Sequence, residues 1–473
     1  MARKLDGLPT YVITEQTSGG SRCSTRWRQL VWTAFITLII LVTFYSETFQ
    51  RRGPMRQITT HATAPSPSSK LASFQNCSVN NFLDTGLPFL ETAAALPVDE
   101  FVERRNRLAV ALHNDGMKAF IVEPGYTFQY YANVSQPQWE VWEPEERPFL
   151  MIVEPQEDST GTITANTSFL VPAFEESRAR LLQMPFTSPI QTIPWEEHWN
   201  PYTTLLDSGI FSSPVGNISS SPPKVMVDEE MRDFIARGLS SAGFDVHGLA
   251  GSVEKVRQTK SAREIGILRA VNTGTVEAIR AMRKCILVPQ PSSLSLSMAG
   301  DTGARAWLRD IQGLYLGVTE SEVQAVLDET LRAAGLEPFF DIVLFDEDAA
   351  LPHGGPNGTK QLENDAFILI DVGAHLHGYS SDICRTFLPP FSPKPTTEAA
   401  LRRLSRPLQE KLRVWDIVFE AQTQSLHALR AGSTAASVDV AARKVITDAG
   451  YGPSFTHRVG HGIGIKGKTQ KIP

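Results

Sequence analysis

The run from Ala366 to Gly373, AFILIDVG, constrains this chain more than any other stretch. Apolar sequence of that length reads as a strand buried on both faces, yet Asp371 sits inside it. A carboxylate taken out of water is costly unless hydrogen-bond donors, a proton or a cation compensate it. Gly378 then marks a reversal, and Tyr379 to Phe387, YSSDICRTF, alternates as a second strand carrying Asp382. With the turn near Leu376 to Gly378, the two aspartates are expected roughly opposite each other on antiparallel neighbours. Anions held side by side repel unless something positive lies between them. Two divalent metals about 3.5–4 Å apart do this and also activate a water. The plainer alternative pairs one aspartate with Arg385 or uses one to cap a turn; it explains each residue singly, but not the pair.

Histidines gather around this hairpin in sequence. Phe455 to Gly467, FTHRVGHGIGIKG, sets His461 between glycines, which let the backbone approach closely and leave the imidazole free to enter a site. His457 precedes it by four residues; that spacing alone is weak, and the glycines argue for a strand or turn over a helix. Ala350 to Lys360, ALPHGGPNGTK, offers His353 in a Pro/Gly-rich loop just before the aspartate strand. His375 and His377 read as turn residues.

The remainder divides into segments. Gln29 to Ser46 carries no charge, is flanked by arginines, and at about 1.5 Å per residue reaches roughly 27 Å as a helix, enough for a bilayer core. A single-pass transmembrane helix is expected at 29–46, after a cytosolic tail at 1–28. Residues 47–95 look like a Pro/Ser/Thr-rich stalk. Sequons at Asn76, Asn133, Asn166, Asn217 and Asn357 all follow the apolar run, which points to a lumenal or extracellular bulk and to glycosylation there. From 96 to 251, helical and strand patterns alternate as an α/β domain. Its first helix has an apolar stripe of Phe101, Leu108, Val110, Ala111 and Leu112, with Glu100, Glu103, Arg104 and Arg105 opposite. A long helix is expected from about Ser252, packing Ile265, Leu268, Val271, Val276 and Ile279. Residues 288–312 then break the pattern before Thr319 and Glu322 open a capping box. Net charge is −6 with no long basic run, which excludes a nucleic-acid binder. The four cysteines form neither a disulfide scaffold nor a CxxC site; whether Cys77 and Cys384 pair or stay free is open.

LPHGG, then DVGxxxxGYSSDICRTF, then HRVGHGIG, in that order, resemble the pita-bread metallopeptidases, prolidase and aminopeptidase P above all. EFVERRNRLAVALH, EPGYTFQYYANVS and ERPFLMIV resemble the creatinase/prolidase-type N-terminal domain. The implied fold class is α+β: an incomplete pita-bread domain at 252–473 after an α/β domain at 96–251. The resemblance implies a site of two divalent ions, manganese first and cobalt or zinc as alternatives. Asp371, Asp382 and His461 match its first three ligands, His353 a histidine that contacts substrate, and His457 the extra histidine of the proline-specific branch. The implied reaction is metal-dependent hydrolysis of the peptide bond preceding proline in a proline-containing peptide. Whether the chain forms a homodimer is open.

Departures from the family pattern fall at two places. Lys468 stands where a catalytic histidine is expected, and the two ligand glutamates are expected further on than Pro473. Neither the tail GKTQKIP nor the 288–312 insert resembles the family. Gly-Lys can be encoded by GGTAAG, Val288 begins with GT and Gln312 can be CAG, so both are expected to be translated intron. On this reading the 473-residue chain is inactive or unstable in its last domain. A non-catalytic binding module on the same fold is the alternative. A metal-free creatinase-like hydrolase of small amidines fits less well, given the intact aspartate pair.

Overall fold

The computed structural model describes residues 69–139, 148–211, 221–286, 317–389 and 394–467. The charge-free run 29–46, the 288–312 insert, Asn217 and Lys468 lie outside these residues. Among the described residues, no helix is long and apolar enough to cross a membrane.

Helix α1, Ser69–Leu83, occupies part of the expected stalk. Phe74, Ser78 and Phe82 recur every four residues, an amphipathic stripe that the Ser- and Thr-rich composition hides. Both phenylalanines are buried, at 1% and 0% exposure. Helix α2, Val98–Asn114, follows. Next come strands β1 (Ala119–Val122), β2 (Leu150–Glu157), β3 (Ile163–Pro172), β4 (Gln191–Trp195), β5 (Lys224–Val227) and β6 (Asp245–His247). They form one mixed sheet ordered β4-β3-β2-β1-β5-β6, parallel at β1/β5, β5/β6 and β3/β4 and antiparallel at the two central pairings.

Helix α2 buries more charge than its apolar stripe foretold. Val110 is exposed, whereas Glu100, Arg104 and Arg105 are buried. Their cost is offset by hydrogen bonds: Arg104 Nη1 donates to Tyr130 O at 2.9 Å, and Arg105 donates to Tyr131 O and Pro185 O.

The long helix starts later than Ser252. A five-residue helix, Gly251–Lys255, ends first, and Ser261 then caps α3, Ala262–Cys285, through a capping box with Glu264. This phase leaves Ile265 exposed and turns Ile267, Val271, Ala278, Ile279 and Met282 inward. Helix α4, Glu320–Ala333, begins at the Thr319/Glu322 capping box read from the sequence.

A second, antiparallel sheet is built from β7 (Glu337–Phe345), β8 (Ile368–Leu376), β9 (Tyr379–Ser380) and β10 (Ile383–Phe387), ordered β10-β8-β7 with β9 paired to β8. Val343, Phe345, Ile368, Ile370 and Val372 join one core with α1, α3 and α4. The strand carrying Asp371 is therefore not buried on both faces: Leu369 and Asp371 alternate with fully buried neighbours and are half-open. Helices α5 (Arg406–Ala428) and α6 (Ala435–Asp448) follow, and a segment without long elements runs on to residue 467.

Two ties link segments distant in sequence. Cys77 on α1 is disulfide-bonded to Cys285 at the end of α3, which leaves Cys384 as the free thiol among the described residues. Arg104 from α2, fully buried, donates to the Tyr379 hydroxyl at 2.7 Å, and that hydroxyl donates to Glu264 Oε1 of α3 at 2.9 Å.

The described sequons differ in setting. Asn76, Asn133 and Asn357 are exposed. Asn166 is half-buried within β3 and donates to Glu154, and Ser168 of its triplet is fully buried, so this acceptor is closed off in the folded chain.

Candidate metal centre

The hairpin that carries both aspartates turns at His377-Gly378, whose φ values of 49° and 79° suit a two-residue loop. Leu376 pairs with Tyr379 and His375 with Ser380. That register places Cys384, not Asp382, opposite Asp371, with Ile383 opposite Val372. Asp382 comes just before β10, so the aspartates are diagonal neighbours. The tight turn shifts the expected pairing by two residues, an even step, and so leaves both carboxylates on one face with Cys384 between them.

His461 reaches this face. Its Nε2 lies 3.1 Å from Asp382 Oδ2, and both side chains are largely buried. Its Nδ1 lies 2.9 Å from Gly462 O, an oxygen that can only accept, so Nδ1 carries the proton. In neutral imidazole, Nε2 then presents a lone pair to a carboxylate oxygen. Two acceptors at 3.1 Å require a proton or a cation between them. The segment is held by Ser380, whose N–H donates to Gly464 O and whose hydroxyl donates to Ile465 O.

His353 and His457, distant in sequence, form a histidine pair. The rings of His353 and His457 lie 5.4 Å apart, edge to face. Helix α6 positions the His457 loop: Arg443 donates to Phe455 O and His457 O, and Asp439 accepts from Val459 N.

Sequence reading missed two residues on the aspartate face. Cys384 lies in register with Asp371; desolvation, then the negative field of Asp371 and Asp382, pushes its thiol up to about 12. His377 is in the turn as expected, but His375 is within β8. Its ring stacks on Phe339 at 4.2 Å, it meets Ser380 Oγ through Nδ1, and burial lowers its pKa. Counting by twos from Asp371 reaches His375 and from Asp382 reaches Cys384, a signal available once the turn is set at His377-Gly378.

Oxygen and imidazole donors of this kind suit a divalent ion such as manganese, cobalt or zinc. The facing acceptors of His461 and Asp382 fit such an ion. Among the described residues, no three His, Cys, Asp or Glu side chains converge closely enough to hold one fully.

Residues 294–472 match metallopeptidase family M24. An uncharacterized peptidase of Schizosaccharomyces pombe is 37% identical over 384 residues, which span 80% of this chain and 72% of that protein. One from Staphylococcus haemolyticus is 37% identical over 155 residues, 32% of this chain and 40% of its own length. Among solved structures, dipeptidase PepE from Mycobacterium ulcerans superposes with a TM-score of 0.59 at 22% identity, covering 80% of this chain and 85% of that one. The Xaa-Pro dipeptidase from Bacillus anthracis gives 0.53 at 22% identity, covering 78% and 83%. These two likenesses show a shared fold.

Proposed function

Because this chain belongs to metallopeptidase family M24, we propose that its reaction is hydrolysis of the peptide bond preceding proline, at a site built on Asp371, Asp382 and His461. The observation that carries this reading is the His461–Asp382 apposition on the face that also presents Asp371. Divalent ions bound there supply Lewis acidity toward the scissile carbonyl and a water of lowered pKa. Manganese is the ion we favour, with cobalt or zinc as alternatives.

The roles of the protein's own groups follow from their surroundings. Asp371 and Asp382 supply the negative field that concentrates cations on this face. His461 donates from Nδ1 to Gly462 O, which turns Nε2 toward Asp382 as the atom that would ligate the ion. His353 and His457 form a polar pair that we assign to the substrate carbonyl and the leaving nitrogen. The proline preference is supported by the Xaa-Pro dipeptidase that shares the fold.

The described residues offer three donors of the five that the resemblance implies. The 473-residue chain as it stands is the material for the test. Incubating it with Ala-Pro and manganese, then measuring free proline with and without chelator, tests the assignment. Chelator-sensitive release that His353→Ala lowers at least tenfold supports it. Metal binding without any release would favour the binding-module reading.

We also propose that 29–46 anchors the chain, with its bulk lumenal or extracellular. The Cys77–Cys285 disulfide supports an oxidising compartment. In sealed microsomes, digestion of the 96–473 region by cytosolic-side protease would refute this orientation.

A further inference from the structure

On the opposite side of β10 from Asp371, a cavity of about 590 Å³ opens between α3, β10 and α5. Its floor is apolar, with Ile279, Phe387, Leu412 and Trp415. Its rim is basic, with Arg280, Arg283, Arg385 and Lys394. Strand alternation separates it from the candidate metal centre: Arg385 and Phe387 point away from the face that bears Cys384.

The rim charges are not equivalent. Arg280 pairs with Glu277 at 2.6 Å, and Lys394 pairs with Asp416. Arg283 lies over the Phe387 ring at 4.6 Å, and Arg385 Nη1 donates to Cys384 O at 2.7 Å. Neither of these two guanidiniums forms an ion pair with a described carboxylate. Two guanidiniums with no ion pair among the described residues, above an apolar floor, suit an anion with two planar oxygens and an apolar body, since guanidinium forks match carboxylate geometry. The volume suits a small molecule, not a folded partner. A polyanion would leave most of its charge facing the apolar floor, and a neutral apolar ligand would leave the rim unused.

We propose that this cavity binds an amphipathic carboxylate, its head between Arg283 and Arg385 and its body against Phe387, Leu412 and Trp415. Calorimetric titration of the full chain, disulfide intact, with octanoate tests this, octan-1-ol being the uncharged control of equal length. Octanoate should bind at least tenfold more tightly than the alcohol. Arg283→Met and Arg385→Met should each weaken octanoate about tenfold and leave the alcohol unchanged. Both arginines are exposed at the rim, so neither change threatens folding. Leu412→Trp should abolish binding of both probes by filling the floor. Equal affinity for acid and alcohol, indifference to both arginine changes, or no octanoate binding would each overturn the proposal.

Discussion

At Asp341 on β7 a carboxylate is 7% exposed, and neither oxygen has a hydrogen-bond partner among the described residues. Desolvation first, then the negative charges of Asp328 and Asp371, raise its pKa well above the ordinary carboxylate value. The folded chain thus binds this proton more tightly than the unfolded chain does. Its contribution is therefore favourable below the native pKa and is lost as pH rises through it. Asp341→Asn should remove that pH-dependent loss and raise stability by about 1–2 kcal/mol near neutral pH, with little change near pH 4. Urea unfolding of both proteins at the two pH values measures it. An equal difference at both would show that Asp341 is not the titrating group.

Among the elements, the β8–β10 hairpin carries most of the chemistry, and its turn is the sensitive point. Gly378 at φ 79° adopts a conformation that other residues enter at a cost, and an added Cβ would lie 2.5 Å from Gln129 Nε2. Gly378→Ala should cost about 1–2 kcal/mol, read from the urea midpoint, unless Gln129 swings away and leaves only the backbone term. The hairpin also shows what a sequence can carry. Gly378 marked the reversal, and period-two alternation put Asp371 and Asp382 on one face. The two-residue register shift was not legible, because it depends on where between Leu376 and Tyr379 the chain turns. Helix α1 was hidden for another reason: its stripe is three residues long and gains meaning only against α3 and α4. Arg104 and Arg105 read as solvent-facing because their acceptors, Tyr130 O, Tyr131 O, Pro185 O and the Tyr379 hydroxyl, are distant in sequence.

For the whole molecule, long-range ties decide how firmly the fold holds together. The Cys77–Cys285 bridge closes a span of 208 residues. In the chain-entropy picture such a loop stabilises the fold by about 5 kcal/mol. Cys77→Ser with Cys285→Ser should lower the urea midpoint accordingly, and reductant should do the same to the parent but not to the variant. Arg104→Ala should cost about 3–5 kcal/mol, because Glu264 would stay buried without its cation and Glu100 would keep only Arg263. Tyr379→Phe, which removes one hydroxyl from the same network, should cost about 1–3 kcal/mol. Equilibrium unfolding of the three proteins side by side ranks these terms.

The central claim is that Asp371, Asp382 and His461 together form a cation site. Its most direct test is a manganese titration of the full chain followed by electron paramagnetic resonance, repeated for Asp382→Asn and His461→Ala. The account predicts saturable binding by the parent and at least a tenfold loss of affinity in each variant. Binding that persists unchanged in both variants, or no binding by the parent, would contradict it.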